Sequence, residues 1–138
     1  MENIEKLLEV AVETARIGGK ILKEGFGTIY EVSSKEGKNN IVTEYDFKSE
    51  KAIIDNIKSY FPEHSILAEE SGLSETNSNE YRWIIDPLDG TVNYSHNIPI
   101  FSVSIACEKN GEILVGVVYQ PLLDEMFTAK KGRRGFFK

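Results

Sequence analysis

Cysteine is nearly missing from this 138-residue chain: Cys107 stands alone, so no internal disulfide can form. A solitary Cys in an apolar run reads as a small core residue, and the lack of a disulfide framework fits a reducing compartment. Histidine is scarce too. His64 and His96 have no partner at metal-ligand spacing, and each reads as a surface or turn residue. No stretch approaches the roughly 20 apolar residues needed to span a bilayer. The opening Met1-Glu2-Asn3-Ile4-Glu5-Lys6 lacks the basic and apolar regions of a signal peptide, so a cytoplasmic protein is expected. Basic charge is in deficit, with 16 Lys and Arg against 22 Asp and Glu and a net charge of -6. That speaks against a general nucleic-acid binder. It does not exclude a phosphate substrate if divalent cations bring the positive charge. What remains is ordinary for a soluble globular protein, at 41% apolar and 28% charged. The length suggests one domain that can bury a core without staples.

The first segment has the helical period: Ile4, Leu7, Leu8, Ala11, Val12, Ala15, Ile21 and Leu22 recur on one side, with Gly25 and Gly27 as the stop. Gly18-Gly19 inside it costs about 1 kcal/mol per glycine relative to alanine, and a close contact with another helix would explain the pair. Ile29 to Ser33 reads as a short strand and Ser34 to Asn40 as a loop. A second helix starts at Thr43 as N-cap, with Asp46 in the first turn. Its expected apolar stripe is Phe47, Ile53, Ile54, Ile57, Tyr60 and Phe61, stopped by Pro62. Strands follow: Ser65 to Glu69, Tyr81 to Asp86, Phe101 to Glu108, Glu112 to Tyr119, Glu125 to Lys130, and a start at Phe136-Phe137. Asn110-Gly111 is a hairpin signal, and Pro121 to Asp124 makes another turn. Ser71 to Glu80 reads as a surface loop. Two helices followed by mainly antiparallel strands give an α+β fold.

Three carboxylates carry the chemistry. Glu69, Asp86 and Asp89 each fall at or just past a predicted strand end. Pro87 fixes its own φ and Gly90 permits a sharp turn, so Asp86 and Asp89 can converge. Crowded carboxylates repel unless a cation intervenes. Mg²⁺ takes oxygen ligands, typically one or two carboxylates plus substrate phosphate. A carboxylate bridging two such ions sets up in-line displacement at phosphorus. Backbone N–H groups at Gly90 and Thr91 offer a phosphate cradle, and the Thr91 hydroxyl can hydrogen-bond a metal-bound water.

The run Trp83-Ile84-Ile85-Asp86-Pro87-Leu88-Asp89-Gly90-Thr91-Val92-Asn93-Tyr94 resembles the signature of the inositol monophosphatase family. Ala68-Glu69-Glu70-Ser71-Gly72 and Val42-Thr43-Glu44-Tyr45-Asp46 resemble its two upstream elements. The resemblance implies the first half of a layered α/β/α/β/α fold, with 1–138 as its N-terminal metal-binding domain. It implies Mg²⁺-dependent hydrolysis of a small phosphate monoester: an inositol phosphate, or another small sugar or nucleotide phosphate. Glu69, Asp86, the Leu88 carbonyl and Asp89 would hold metal. Thr91 would orient the attacking water, with Asp46 paired to Thr91, and Asp89, Gly90 and Thr91 would meet the substrate. Lys35 falls where the family places a lysine near the site, and a homodimer is expected.

The family's second half, with its Trp-Asp-x-Ala metal ligand, has no match here. The expectation is therefore a split gene product or a fragment, and the alternative to an enzyme is a catalytically incomplete half or association module. Taken singly, other residues have plainer readings. Glu70 reads as a solvated surface acid, Lys35 as a loop lysine and Asp46 as a helix-start charge. Arg133-Arg134 reads as an exposed basic turn.

Overall fold

The structure is a computed structural model that describes residues 3–28, 32–34, 41–68, 73–75, 80–132 and 136–137, with side chains at 3–28, 43–68 and 80–132. Helix α1 (Ile4–Gly25) leads into the short pair β1 (Val32–Ser34) and β2 (Ile41–Thr43), and then α2 (Glu44–Tyr60). A seven-stranded sheet follows in the order β4-β3-β5-β6-β7-β8-β9. Its strands are β3 (Ser65–Ala68), β4 (Leu73–Glu75), β5 (Tyr81–Asp89), β6 (Ser102–Lys109), β7 (Glu112–Gln120), β8 (Glu125–Lys130) and β9 (Phe136–Phe137). A short helix α3 (Thr91–Ser95) lies between β5 and β6. Pairing is antiparallel except for β3 beside β5, so the sheet is mixed and the fold is α+β. Among the described residues, no helix is long and apolar enough to cross a membrane.

Helices α1 and α2 each start at a side-chain cap. The Asn3 carboxamide oxygen accepts from the Glu5 N–H at 2.7 Å. At α2, Thr43 and Asp46 form a reciprocal capping box. The buried stripe of α1 runs through Leu7, Val10, Ala11, Thr14, Ala15, Gly18, Gly19, Leu22 and Gly25. The glycine pair lies at close contacts on two sides. A Cβ at Gly18 would sit 2.8 Å from the Ile53 Cδ1 of α2, and one at Gly19 would sit 2.6 Å from the Tyr119 ring of β7.

The stripe of α2 departs from expectation. Ile53 and Ile57 are buried, but Phe47 and Tyr60 are exposed, and Asp46, Ser49 and Glu50 take the inward positions. Stepping back from Ile57 by helical turns gives 53, then 49 and 50, then 46. The inward face is thus apolar over the sheet and polar towards the helix N-terminus.

The core lies between the helices and one face of the sheet: Trp83 and Ile85 from β5, Val103, Ile105 and Cys107 from β6, Val115 and Val117 from β7, and Met126 from β8. His64 is part of this core rather than of the surface, only 2% exposed. Its ring stacks on Phe61 at 4.5 Å and Tyr81 at 4.8 Å, and its Nδ1 accepts from the Trp83 indole N–H at 3.0 Å. The Asn110-Gly111 hairpin forms as expected, with φ of 51° and 85°. Within Ser71 to Glu80, expected to be loop throughout, Leu73–Glu75 forms an edge strand against β3.

Candidate active site

The Asp86-Pro87-Leu88-Asp89 segment does not leave the sheet in a turn. Strand β5 continues through Asp89 with a bulge: Asp86 pairs with Ser104 and Asp89 with Ser102, so three steps on β5 match two on β6. Proline is tolerated at a bulge, where its missing N–H breaks no ladder bond. The bulge changes where the acids point. In a regular strand, residues three apart face opposite sides. One extra residue puts Asp86 and Asp89 on the same side, separated by one face repeat, roughly 7 Å along the strand. That side is the one the helices leave uncovered. Asp86 is half-buried and Asp89 exposed.

Gly90 ends the segment with φ of 100°, and a Cβ there would stand 2.9 Å from the Ile100 carbonyl oxygen. Both the left-handed backbone and the close approach require glycine. Helix α3 begins at the next residue, in a stretch too short to show a helical period in the sequence. Two side chains fasten it. The Tyr94 hydroxyl donates to the Leu22 carbonyl of α1 at 2.7 Å. The Thr91 hydroxyl lies 3.0 Å from Asp46 Oδ2 and 3.2 Å from the Leu88 carbonyl oxygen.

Asp46 is fully buried. Its Oδ1 accepts from the Thr43 N–H at 2.7 Å and the Thr43 hydroxyl at 2.6 Å. Burial pushes its carboxyl above the ordinary 3.8, and the bonds from Thr43 and Thr91 offset that only in part. One turn further along α2, the buried Ser49 hydroxyl reaches the Gly18 carbonyl at 3.3 Å and the Pro87 carbonyl at 3.4 Å. The polar inward face of α2 therefore sits over the bulge and the start of α3. Sequence reasoning named Asp46 but missed Ser49 and Glu50; the helical period read backwards from Ile57 would have found both.

Glu69, Glu70, Lys35 and Arg133-Arg134 lie outside the described residues. Strand β3 ends at Ala68, paired with Ile85, the residue before Asp86. Among the described residues, no three Asp, Glu, His or Cys side chains gather as a metal shell. The donors present, Asp86, Asp89 and the Leu88 carbonyl, are all oxygen. That suits a hard cation such as Mg²⁺, which takes one or two carboxylates and keeps several waters. His96 is exposed, and its Nδ1 lies 2.8 Å from the Val92 carbonyl oxygen.

Residues 3–138 match the inositol monophosphatase family. The chain is 44% identical over 133 residues to a fructose-1,6-bisphosphatase/inositol-1-monophosphatase of Aquifex aeolicus, covering 96% of this chain and 50% of that protein. It is 41% identical to the Nus factor SuhB of Escherichia coli over 92% of this chain and 48% of that one. A solved structure of the extragenic suppressor protein SuhB from Bartonella henselae superposes with a TM-score of 0.92 at 38% identity, over 96% of this chain and 52% of the other. An inositol monophosphatase of Thermotoga maritima gives 0.90 at 39% identity, over 96% and 51%. The chain belongs to the inositol monophosphatase family. It spans about half the length of the relatives it matches.

Proposed function

We propose that this chain carries the metal- and water-handling part of a cytoplasmic Mg²⁺-dependent phosphomonoesterase that acts on inositol monophosphate or a similar small phosphate ester. The observation that carries the reading is the β5 bulge, which turns Asp86 and Asp89 to one side, beside a Thr91 hydroxyl bonded to buried Asp46. When bound, Mg²⁺ would neutralise the phosphate and lower the pKa of a coordinated water. Asp86, Asp89, the Leu88 carbonyl and Glu69 would hold it.

Thr91 and Asp46 act on the attacking water. An ionised Asp46 only accepts hydrogen bonds, so the Thr91 hydroxyl proton turns towards it. The Thr91 oxygen then offers its free lone pairs to a water proton. Asp46 thus positions Thr91, and Thr91 orients the water for attack at phosphorus opposite the leaving alkoxide. Backbone N–H groups at Gly90 and Thr91 would receive a phosphate oxygen. The test is release of inorganic phosphate from inositol 1-phosphate at millimolar Mg²⁺. The reading expects release that chelation abolishes and that Asp89→Asn lowers at least 100-fold. Absence of release by a folded chain that binds Mg²⁺ favours the second reading, a catalytically incomplete half. That reading is motivated by coverage of only half of each relative.

A further inference from the structure

Between the two acids the chain has one backbone dihedral that the sheet ladder leaves open. Pro87 and Leu88 are buried there, and the register with β6 steps over both, from Asp86 opposite Ser104 to Asp89 opposite Ser102. The proline ring holds φ of Pro87 at about −65°. The peptide that follows is planar. What remains is ψ of Pro87. That angle sets the direction of the Pro87 carbonyl and, with it, the course of the chain into Leu88 and Asp89. In a regular strand a ladder bond would hold it, and the bulge interrupts the ladder at this point.

Ser49 supplies a restraint from α2. Its hydroxyl is fully buried, 3.4 Å from the Pro87 carbonyl oxygen and 3.3 Å from that of Gly18 in α1. A hydroxyl has one proton, so the two carbonyls share it, and a shared proton stands at the long end of hydrogen-bond distance from each. The two acceptors are unequal. Gly18 lies inside α1, where the N–H of Leu22 serves its carbonyl. Pro87 lies in the bulge, outside the β6 ladder. A Cβ at Gly18 would stand 3.0 Å from the Ser49 oxygen, so the glycine leaves room for the hydroxyl between α1 and the bulge. Three residues earlier on the same face of α2, Asp46 meets the Thr91 hydroxyl at 3.0 Å. Helix α2 therefore touches the chain on both sides of Asp89, at Pro87 and at Thr91. We propose that Ser49 is a positioning residue for the acid pair: by fixing the direction of the Pro87 carbonyl, it fixes where Asp89 stands relative to Asp86. The inference rests on the Mg²⁺ reading of the site and deepens it, because α2 then serves the cation ligands as well as the water-orienting Thr91.

Two readouts test it, neither of them phosphate release. Amide hydrogen exchange of the Mg²⁺-free chain reads the bulge, and titration calorimetry with Mg²⁺ reads the acids, both at a temperature where every variant is folded by circular dichroism. In Ser49→Ala, exchange at the Leu88 and Asp89 amides should quicken about tenfold, the effect of stranding one buried carbonyl. Mg²⁺ should bind about fivefold more weakly to the same variant. Thr14→Val is the comparison. It removes another buried hydroxyl from the α1–α2 contact, one turn before Gly18 and bonded to the Asn56 amide at 2.8 Å rather than to the bulge. It should leave both readouts at the wild-type level. Unchanged exchange at Leu88 and Asp89 in Ser49→Ala overturns the proposal. So does an equal weakening of Mg²⁺ binding in Thr14→Val, which would make the effect one of helix packing. Quickened exchange with unchanged Mg²⁺ affinity overturns it too, because the acids would then not depend on the bulge that Ser49 holds. If wild type takes up no Mg²⁺ and exchange quickens only in Ser49→Ala, the catalytic reading falls and the hold of Ser49 on the bulge stands.

Discussion

Asp46 and His64 are both buried polar side chains, and each bonds a specific partner. For Asp46 the folded-state pKa is raised by burial above 3.8. A raised carboxyl pKa means that the folded chain holds the proton more tightly than the unfolded one. The stabilising contribution is complete below about 3.8 and is lost as pH climbs through the folded value. In urea unfolding between about pH 4 and pH 7, wild type should therefore lose stability relative to Asp46→Asn as pH rises. Parallel curves for the two proteins would show that Asp46 does not titrate in this way. In the same variant, phosphate release should drop because Thr91 loses its anionic acceptor. His64 presents a different case. An indole N–H only donates, so the imidazole Nδ1 facing Trp83 carries no proton. His64→Phe keeps the stacking on Phe61 and Tyr81 but strands the buried indole N–H, at a cost of about 1–3 kcal/mol. Adding Trp83→Phe removes the orphan donor, so the double variant should lose less than the two single losses combined. Additive losses in chemical denaturation would mean that the bond contributes nothing.

Elements that depend on a long period or a strong turn signal were legible in the sequence. Helix α1 and helix α2 were, and so was the β6–β7 hairpin through Asn110-Gly111. What escaped were features set by neighbours. Strand β4 lies in a polar stretch with no alternation, and it exists because β3 offers an edge. The run Asp86 to Gly90 has turn composition, and only the register with Ser104 and Ser102 makes it a bulge. The sequence suggested that Asp86 and Asp89 converge at a turn, whereas the register sets them one face repeat apart on the same side of the strand. The polar face of α2 was missed because Phe47 drew the stripe one position off, while Asp46, Ser49 and Glu50 are the residues buried there. The glycine pair in α1 was read as a close contact, and the contact is double: α2 on one side and β7 on the other. Gly19→Ala tests it at the level of packed elements. Alanine favours the helix by about 1 kcal/mol, but its Cβ must displace the Tyr119 ring. That ring also holds Asp124 through its hydroxyl at 2.7 Å. Overpacking of about 1–3 kcal/mol should win, lowering the urea midpoint, whereas the exposed Lys20→Ala leaves it unchanged. A Gly19→Ala protein as stable as wild type would mean that β7 can back away from α1.

For the whole chain, net charge and the site point to one measurement. The protein carries -6 overall, and Asp86 and Asp89 face the same open side. A ligand that binds only the folded state adds stability by mass action, about 2.7 kcal/mol at 100 times its dissociation constant. For a chain of this size, 1 kcal/mol moves the melting midpoint by roughly 4 °C. Saturating Mg²⁺ should therefore raise the midpoint by on the order of 10 °C, and chelation should reverse the shift. Screening of the acidic surface would also raise it, but screening depends on ionic strength and not on the identity of the cation. KCl at equal ionic strength separates the two. If Asp86 and Asp89 hold the ion, Mg²⁺ exceeds KCl in wild type and the excess shrinks sharply in Asp86→Asn and Asp89→Asn, while Asp55→Asn on the outer side of α2 keeps it. Equal shifts with both salts, or an excess untouched by the two site substitutions, would place the cation elsewhere and leave the bulge without its proposed purpose.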